Sequence, residues 1–427
     1  MLMHRGKITD QMTATKPGYH SHQKYLGSRG LIALLGLLSA FVPLSTDLYL
    51  PALPTMSKSL QAPVEQINIT LSIFFVMYSI GMLVWGPLSD RYGRKPILMI
   101  GLGVYVLASG LCSITTSASA LIAFRALQAA GGSAAGVVAS AIVKDTFSGR
   151  RREAVLAIVQ SMTMLSPAVA PLFGAMLLGV TSWRGIFWAL TGIGVITLLG
   201  SLLLEETLQD RNSGALLSSF TRLGKVIHNR GFIMLLLLFS ISGISTMAFV
   251  SGSTYIYQDG FHLSSQVYSL YFSVNAICLI AGPMIYMRIS RRINPELIIR
   301  VSFVIIMASG VLMVLFGNLA PYIFALCILP SSIAGSIIRP PSVNLMLEQQ
   351  KGDTGSLVSL MGSTNLLMGS LGMTLISLPW DNTIIALGIM TLLTASISTL
   401  AWPLVIRRAV RLPYPLHLAA EFDASKS

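Results

Sequence analysis

Asp47 is the one carboxylate set deep inside an apolar stretch of this chain, and Arg125 is a cation in a similar setting. A charge at the centre of a bilayer costs ~2.5–3.5 kcal/mol on insertion scales, so such a residue faces a polar cavity or a partner and marks an ion or substrate path. Asp47 lies about eight residues inside the outer end of the first apolar run, and Arg125 about six inside that of the fourth. At 1.5 Å of rise per residue both sit roughly 9–12 Å below the outer surface. Two readings stay open. The pair shares a water-filled cavity, where a carboxylate balanced between desolvation and a guanidinium takes a proton from one side and releases it to the other. Alternatively it is a structural ion pair between helices. Gln128, one turn after Arg125, shares its helix face and joins Tyr49, Asn275 and Asn365 as candidate substrate-cavity residues. The two asparagines are the isolated amides of their spans, which also serve as interhelical glue.

A second charge set lies in Gly86-Pro87-Leu88-Ser89-Asp90-Arg91-Tyr92-Gly93-Arg94-Lys95-Pro96, a tight basic turn between two apolar runs. Asp90, Arg91 and Arg94 carry its charge, and Gly93 supplies backbone freedom. Pro167 and Pro171 in the fifth run each remove a helix bond, on one helix face because they are four residues apart. Ala168, Ala170 and Gly174 beside them permit close helix contact, which packing explains as well as a hinge does. Arg339, before Pro340-Pro341, is expected to snorkel to the inner surface. Tyr255 and Tyr257 are expected in the aromatic belt.

The elements that hold these residues are membrane helices. Only 11% of the 427 residues are charged and 53% are hydrophobic, against ~25% charged in soluble chains. Mean hydropathy is +0.72. Stretches long enough to cross ~30 Å of hydrocarbon recur at 30–56, 64–88, 97–116, 119–143, 154–179, 185–204, 232–255, 267–289, 297–317, 321–346, 355–378 and 383–406. The fold class is therefore all-α integral membrane, with twelve transmembrane helices. With the amino terminus inside, 25 of the 29 Lys and Arg fall in inside segments, and the outside loops keep only Lys58 and Arg184. This is the positive-inside asymmetry, so the net charge of +13 reports topology and not a nucleic-acid partner. It puts both termini in the cytoplasm. Residues 1–29 read as a cytoplasmic tail, because the apolar run after them is too long for a signal-peptide core; 407–427 read as a second tail. Cys112, Cys278 and Cys327 lie in apolar spans without a Cys-x-x-Cys pair and read as small hydrophobes. None of the six histidines lies in a span, which argues against a histidine relay.

The polar stretch 205–231 divides the spans into six and six, an N-terminal bundle at 30–204 and a C-terminal bundle at 232–406. The halves echo each other, since Gly282-Pro283 precedes Arg288, Arg291 and Arg292 as Gly86-Pro87 precedes Arg91, Arg94 and Lys95. Two bundles related about an axis along the membrane normal produce such a repeat.

Four stretches of the first half carry a family resemblance. Ser45-Thr46-Asp47-Leu48-Tyr49-Leu50-Pro51-Ala52-Leu53-Pro54, Gly86 to Pro96, Arg125-Ala126-Leu127-Gln128-Ala129, and Ser166 to Gly174 followed by Trp183-Arg184 resemble the major facilitator superfamily. Within it they resemble the Bcr/CflA-type drug:proton antiporters. The resemblance implies the two-bundle fold and a gating clamp in which Asp90 holds the halves together in the outward-open state. It also implies an antiporter motif in the fifth helix at Pro167, Pro171 and Gly174. The fifth-helix stretch departs from the family pattern at Ser166 and Phe173.

No phosphate-binding loop, metal-ligand cluster or nucleophile–base pattern occurs, so neither enzyme activity nor a cofactor is expected. The leading expectation is proton-coupled efflux of small amphipathic compounds or antibiotics across a bacterial inner membrane by a monomer in the lipid bilayer, with protons and a small-molecule substrate as partners. The alternatives are a dedicated metabolite carrier (uniporter or symporter) on the same fold, and a non-transporting receptor.

Overall fold

The computed structural model describes residues 23–208, 224, 226–349 and 354–410. Most of the expected tail 1–29, the middle of the expected linker 205–231, and most of 407–427 lie outside the described residues. The first half comprises α1 (Gly27–Leu60), α2 (Val64–Tyr92), α3 (Arg94–Ile114), α4 (Ala118–Thr146), α5 (Gly149–Val180) and α6 (Trp183–Leu202). The second comprises α7 (Arg230–Gly260), α8 (Ser265–Ile289), α9 (Pro295–Phe316), α10 (Pro321–Glu348), α11 (Thr354–Ile376) and α12 (Thr383–Val410). Eleven of these are long and apolar enough to cross a membrane among the described residues. The other, α11, is a helix of 23 residues packed between α2 and α7.

The expected basic turn is shorter than its sequence suggests. Helix α2 continues through Gly86 and Pro87 to Tyr92, α3 begins at Arg94, and Gly93 alone joins them. Its φ of 107° and ψ of 155° are a combination open essentially to glycine. A Cβ there would also lie 3.1 Å from the carboxyl carbon of Glu206. That carboxylate accepts from the backbone N–H groups of Arg94 (2.9 Å) and Lys95 (3.2 Å), capping α3 where the chain has no room for its own cap.

Two helices break. The α-helical part of α1 ends at Asp47, passes through a 3₁₀ turn at Leu50–Ala52 and resumes at Leu53–Leu60. Pro51 and Pro54 have no N–H, so an unbroken ladder cannot run through them. Helix α7 runs Arg230–Ser240, restarts at Ser242–Tyr255 and ends in a π turn at Ile256–Gly260.

Within the first half α4 packs on α1, α2 and α3, with α1 on α5 and α3 on α6. In the second, α9 packs on α10 and α12, α8 on α10, and α7 on α11 and α12. The halves meet along two seams, α2 with α11 and α5 with α8. At the helix ends that carry the basic residues, each half has its own apolar core, around Leu35, Leu102 and Val138 in the first and Phe232, Phe303 and Trp402 in the second. At the opposite face one core runs across both halves, from Tyr49 and Phe187 to Phe272 and Phe324. The halves are thus fused at one face and separate at the basic face.

Gly174 of α5 packs against the broken part of α1, where a Cβ would collide with the Leu48 carbonyl oxygen. Gly174→Val is expected to force the two helices apart and destabilise by about 1–3 kcal/mol, read as a lower unfolding temperature in detergent. An unchanged temperature would contradict this packing.

Candidate functional site

Where the cores are separate, a cavity of about 290 Å³ lies between the halves. The first half lines it with Pro43, Thr46, Asp47, Gln160, Thr163 and Pro167, the second with Ser245, Met247, Phe249, Asn275, Ser332 and Arg339, among others. Every hydrogen bond joining the halves among the described residues lies between mid-span and the opposite face. Ser79 and Ser363 exchange hydroxyl-to-carbonyl bonds of 3.0 and 3.3 Å, and Thr374 donates to Ser72 at 3.1 Å. Thr254 and Gln258 donate to the Leu50 and Pro51 carbonyls at 3.2 and 3.0 Å, while Ser273 and Ser269 donate to those of Ala168 and Pro171 at 2.5 and 3.0 Å. The cavity is sealed from the non-basic face by these bonds and by the continuous core.

Asp47 stands at the end of the helical part of α1, mostly buried, with one carboxylate oxygen accepting from the Thr46 hydroxyl at 3.1 Å. It does not pair with Arg125, and Arg125 does not reach the cavity; this corrects the shared-site expectation. The Arg125 guanidinium is completely buried. It donates to the Ser45 carbonyl (3.0 Å) and the Gln128 side-chain oxygen (2.5 Å), and lies 4.3 Å from the Phe74 ring centre, 4.5 Å from Tyr49 and 5.8 Å from Phe187. Gln128 in turn donates to Ser109 at 2.7 Å. The reason lies in helix geometry. Residues two apart point about 200° apart around a helix, so Ser45, bonded to Tyr105 at 2.7 Å, faces α3 and α4 while Asp47 faces the cavity. The Ser45 carbonyl and the Gln128 oxygen then take Nη1, and the ring faces lie against the rest of the cation, whose Nε and Nη2 find no hydrogen-bond acceptor. No carboxylate among the described residues pairs with it.

Of the four expected cavity residues, Asn275 alone lines it, donating to Ser332 at 2.8 Å. Tyr49 is buried under Arg125 with its hydroxyl 3.2 Å from Thr70, Gln128 is held in the same cluster, and Asn365 sits against Gly243. Arg339, assigned to the inner surface from sequence, lines the cavity instead, opposite in charge to Asp47 and contributed by the other half. The signal was present: Arg339 is a cation within an apolar run, the same criterion that singled out Arg125.

At the α2–α3 junction, Arg94 donates to Asp90 (2.5 Å), Asp145 (2.8 Å) and Ser89 (2.7 Å). Asp90, Gly93 and Arg94 thus come together with Asp145 of α4 and Glu206, both missed from sequence because they are remote along the chain. Arg91 stands apart, its guanidinium 5.4 Å from the Tyr92 ring. All the hydrogen bonds of this cluster among the described residues stay within residues 86–208, in the first half. In α5, Pro167 lines the cavity, Pro171 accepts at the seam, and Gly174 packs on α1.

The sequence profile of the Major Facilitator Superfamily matches residues 35–373. An uncharacterized MFS-type transporter, YdgK, from Bacillus subtilis is 32% identical over 381 residues, 87% of this chain and 94% of that protein. A bicyclomycin resistance protein homolog from Haemophilus influenzae is 26% identical over 348 residues, covering 80% and 87%. Among solved structures, the peptide transporter POT in complex with sulfate superposes with a TM-score of 0.71 at 14% identity, over 90% of this chain and 97% of that one, a likeness of fold.

Arg125→Lys tests the buried cluster. An ammonium keeps the charge but cannot bond Ser45 and Gln128 while lying flat on aromatic rings. The variant is expected to lose about 1.5–3 kcal/mol, the range for a hydrogen bond to a charged group, measured by thermal unfolding in detergent. Wild-type stability would remove Arg125 from this holding role.

Proposed function

The chain belongs to the Major Facilitator Superfamily, and we propose that it exports small amphipathic compounds, antibiotics among them, across the bacterial inner membrane in exchange for protons. The observation that carries this reading is Asp47, a carboxylate with no ion-pair partner among the described residues, set in the wall of the cavity between the halves. The bicyclomycin-resistance relative and the likeness of residues 45–54 to the drug:proton antiporters support the substrate class. So does the cavity lining, in which scattered hydroxyls and the amide of Asn275 alternate with Met164, Met247, Phe249 and Phe272. Flexible thioethers and ring faces accept many apolar shapes, and the polar groups orient them.

In this reading the basic face is cytoplasmic, both termini lie there, and the arrangement described is the inward-facing one. The halves 30–204 and 232–406, joined by 205–231, rock as a monomer to expose the cavity alternately. Asp47 takes a proton when the cavity faces outward and releases it inward as substrate binds. Asp90 and Arg94 belong to the gate at the cytoplasmic ends. They close against the second half when the outer seal opens. Arg339 sets preference by repelling cations near it and bonding substrate acceptors. Arg125 contributes by holding the Ser45 backbone, and with it the turn that presents Asp47. No cofactor or enzymatic step enters the cycle.

Asp47→Asn keeps shape and hydrogen-bonding capacity and removes the titratable group. In proteoliposomes under an imposed pH difference, the variant is expected to lose accumulation of substrate against its gradient while still inserting and binding neutral substrates. Accumulation at the wild-type level would strip Asp47 of the coupling role. Transport by the wild type at one rate with or without the pH difference would favour the uniporter reading.

A further inference from the structure

A second chamber, of about 600 Å³, lies at the non-basic face, outside the core that joins the halves. Glu65 from the first turn of α2, Asp259 from the π turn of α7 and Asp381 from the link before α12 all line it. Among the described residues these are the three carboxylates at this face, and remote segments bring them to one place. The ion pairs among the described residues involve none of them, and the two cations of this face, Lys58 and Arg184, do not line the chamber. Arg184 is occupied with the Thr115 carbonyl at 2.9 Å and the Trp183 ring.

Two further observations point to a ligand. Asn68 is 2% exposed and Tyr255 9% exposed. Both line the chamber, and the Asn68 side-chain oxygen and the Tyr255 hydroxyl have no hydrogen-bond partner. A buried polar atom left unpaired is costly, and a hydroxyl and an amide oxygen facing an acidic chamber are suited to a bound donor. Tyr255 is therefore no part of an aromatic belt, and neither is Tyr257, which is buried and stacked on Tyr271 at 4.8 Å. The chamber wall also presents Phe261 and the half-exposed ring of Trp380. A π turn, the kind of helical irregularity that concentrates at functional sites, carries Asp259.

A bare metal ion does not fit these walls. No three Asp, Glu, His or Cys side chains among the described residues stand close enough to hold one. Separated carboxylates with ring faces between them suit a larger cation of spread charge, held by long-range attraction and cation–π contact. We propose that this chamber is a binding site for bulky organic cations, separate from the central cavity. Its walls come from both halves, with Val64, Glu65 and Asn68 on one side and the α7, α11 and α12 ends on the other. An occupant bridges the seam that must part for the outer face to open, so it holds that face closed.

The test uses propidium, an aromatic dication, titrated by fluorescence onto the purified full chain in nanodiscs, where both faces are accessible. Asp47→Asn serves as the reference, since it removes the central carboxylate. In that background propidium is expected to bind saturably, and Asp259→Asn with Asp381→Asn to weaken it by ~10-fold or more through lost attraction. Trp380→Ala is expected to weaken it while leaving the carboxylates intact, and rising salt to weaken it by screening. Both aspartates are exposed, so folding is checked by an unchanged unfolding temperature. No binding in the Asp47→Asn background, equal affinity in the aspartate variants, or displacement by equimolar magnesium would each overturn the proposal. Because the readout is binding, its failure leaves the exporter reading untouched, and loss of coupled transport leaves this site untouched.

Discussion

The bond from the Arg125 guanidinium to the Ser45 carbonyl fixes how the first helix can serve a site. A fully desolvated guanidinium is tolerable in hydrocarbon only where acceptors and ring faces surround it, and here α1, α2, α4 and α6 each contribute to that surrounding. The bond holds α1 against α4 just before the prolines break the helix at Asp47. The carboxylate is then turned to the cavity by helical phase rather than drawn to the nearest cation. An Asp47–Arg125 ion pair would neutralise the group whose free charge the proposed proton exchange needs.

The seal between the halves follows from the same economy of polar groups in a bilayer. Four of the bonds at the non-basic face run from second-half side chains to the first-half carbonyls of Leu50, Pro51, Ala168 and Pro171, each a proline or next to one. Pro54 has no N–H to give the Leu50 carbonyl, and the Thr254 hydroxyl of the other half bonds it; the other three carbonyls accept from Gln258, Ser269 and Ser273. Each such bond contributes about 1 kcal/mol net. A seal built of them, with no ion pair across it among the described residues, closes the face yet parts without stranding a charge. The continuous core beneath gives it area, and at the basic face each half keeps its own core, as the proposed rocking of the halves requires.

Much of this was legible in the sequence because the bilayer imposes length and polarity directly. The twelve helices, eleven of them apolar and long enough to span a membrane among the described residues, Gly93 at the junction and Asp47 in the cavity wall are where apolar runs and the charges within them pointed. What was hidden depends on rotation and on contacts remote along the chain. Arg125 lies at Asp47's depth, and depth alone suggested a pair; helical phase, which depth does not give, separates them. Tyr49 and Gln128 went with Arg125 into its buried cluster for the same reason. Glu206 caps α3 from more than a hundred residues away, and Asp145 reaches Arg94 from α4, so nothing local announced either. Arg339 was legible by the rule used for Arg125 and was set aside because two prolines and the helix end suggested an easier exit to the surface.

The central claim is that one carboxylate, Asp47, holds either a proton or the influence of a substrate, not both. The direct measurement is proton release when substrate is added to purified protein in weakly buffered detergent, between mildly acidic and neutral pH. The account predicts release of about one proton per substrate bound on the acidic side, fading as the carboxylate loses its proton, and none from Asp47→Asn. Substrate binding to the wild type without proton release at any pH in that range, or equal release from Asp47→Asn, would contradict it.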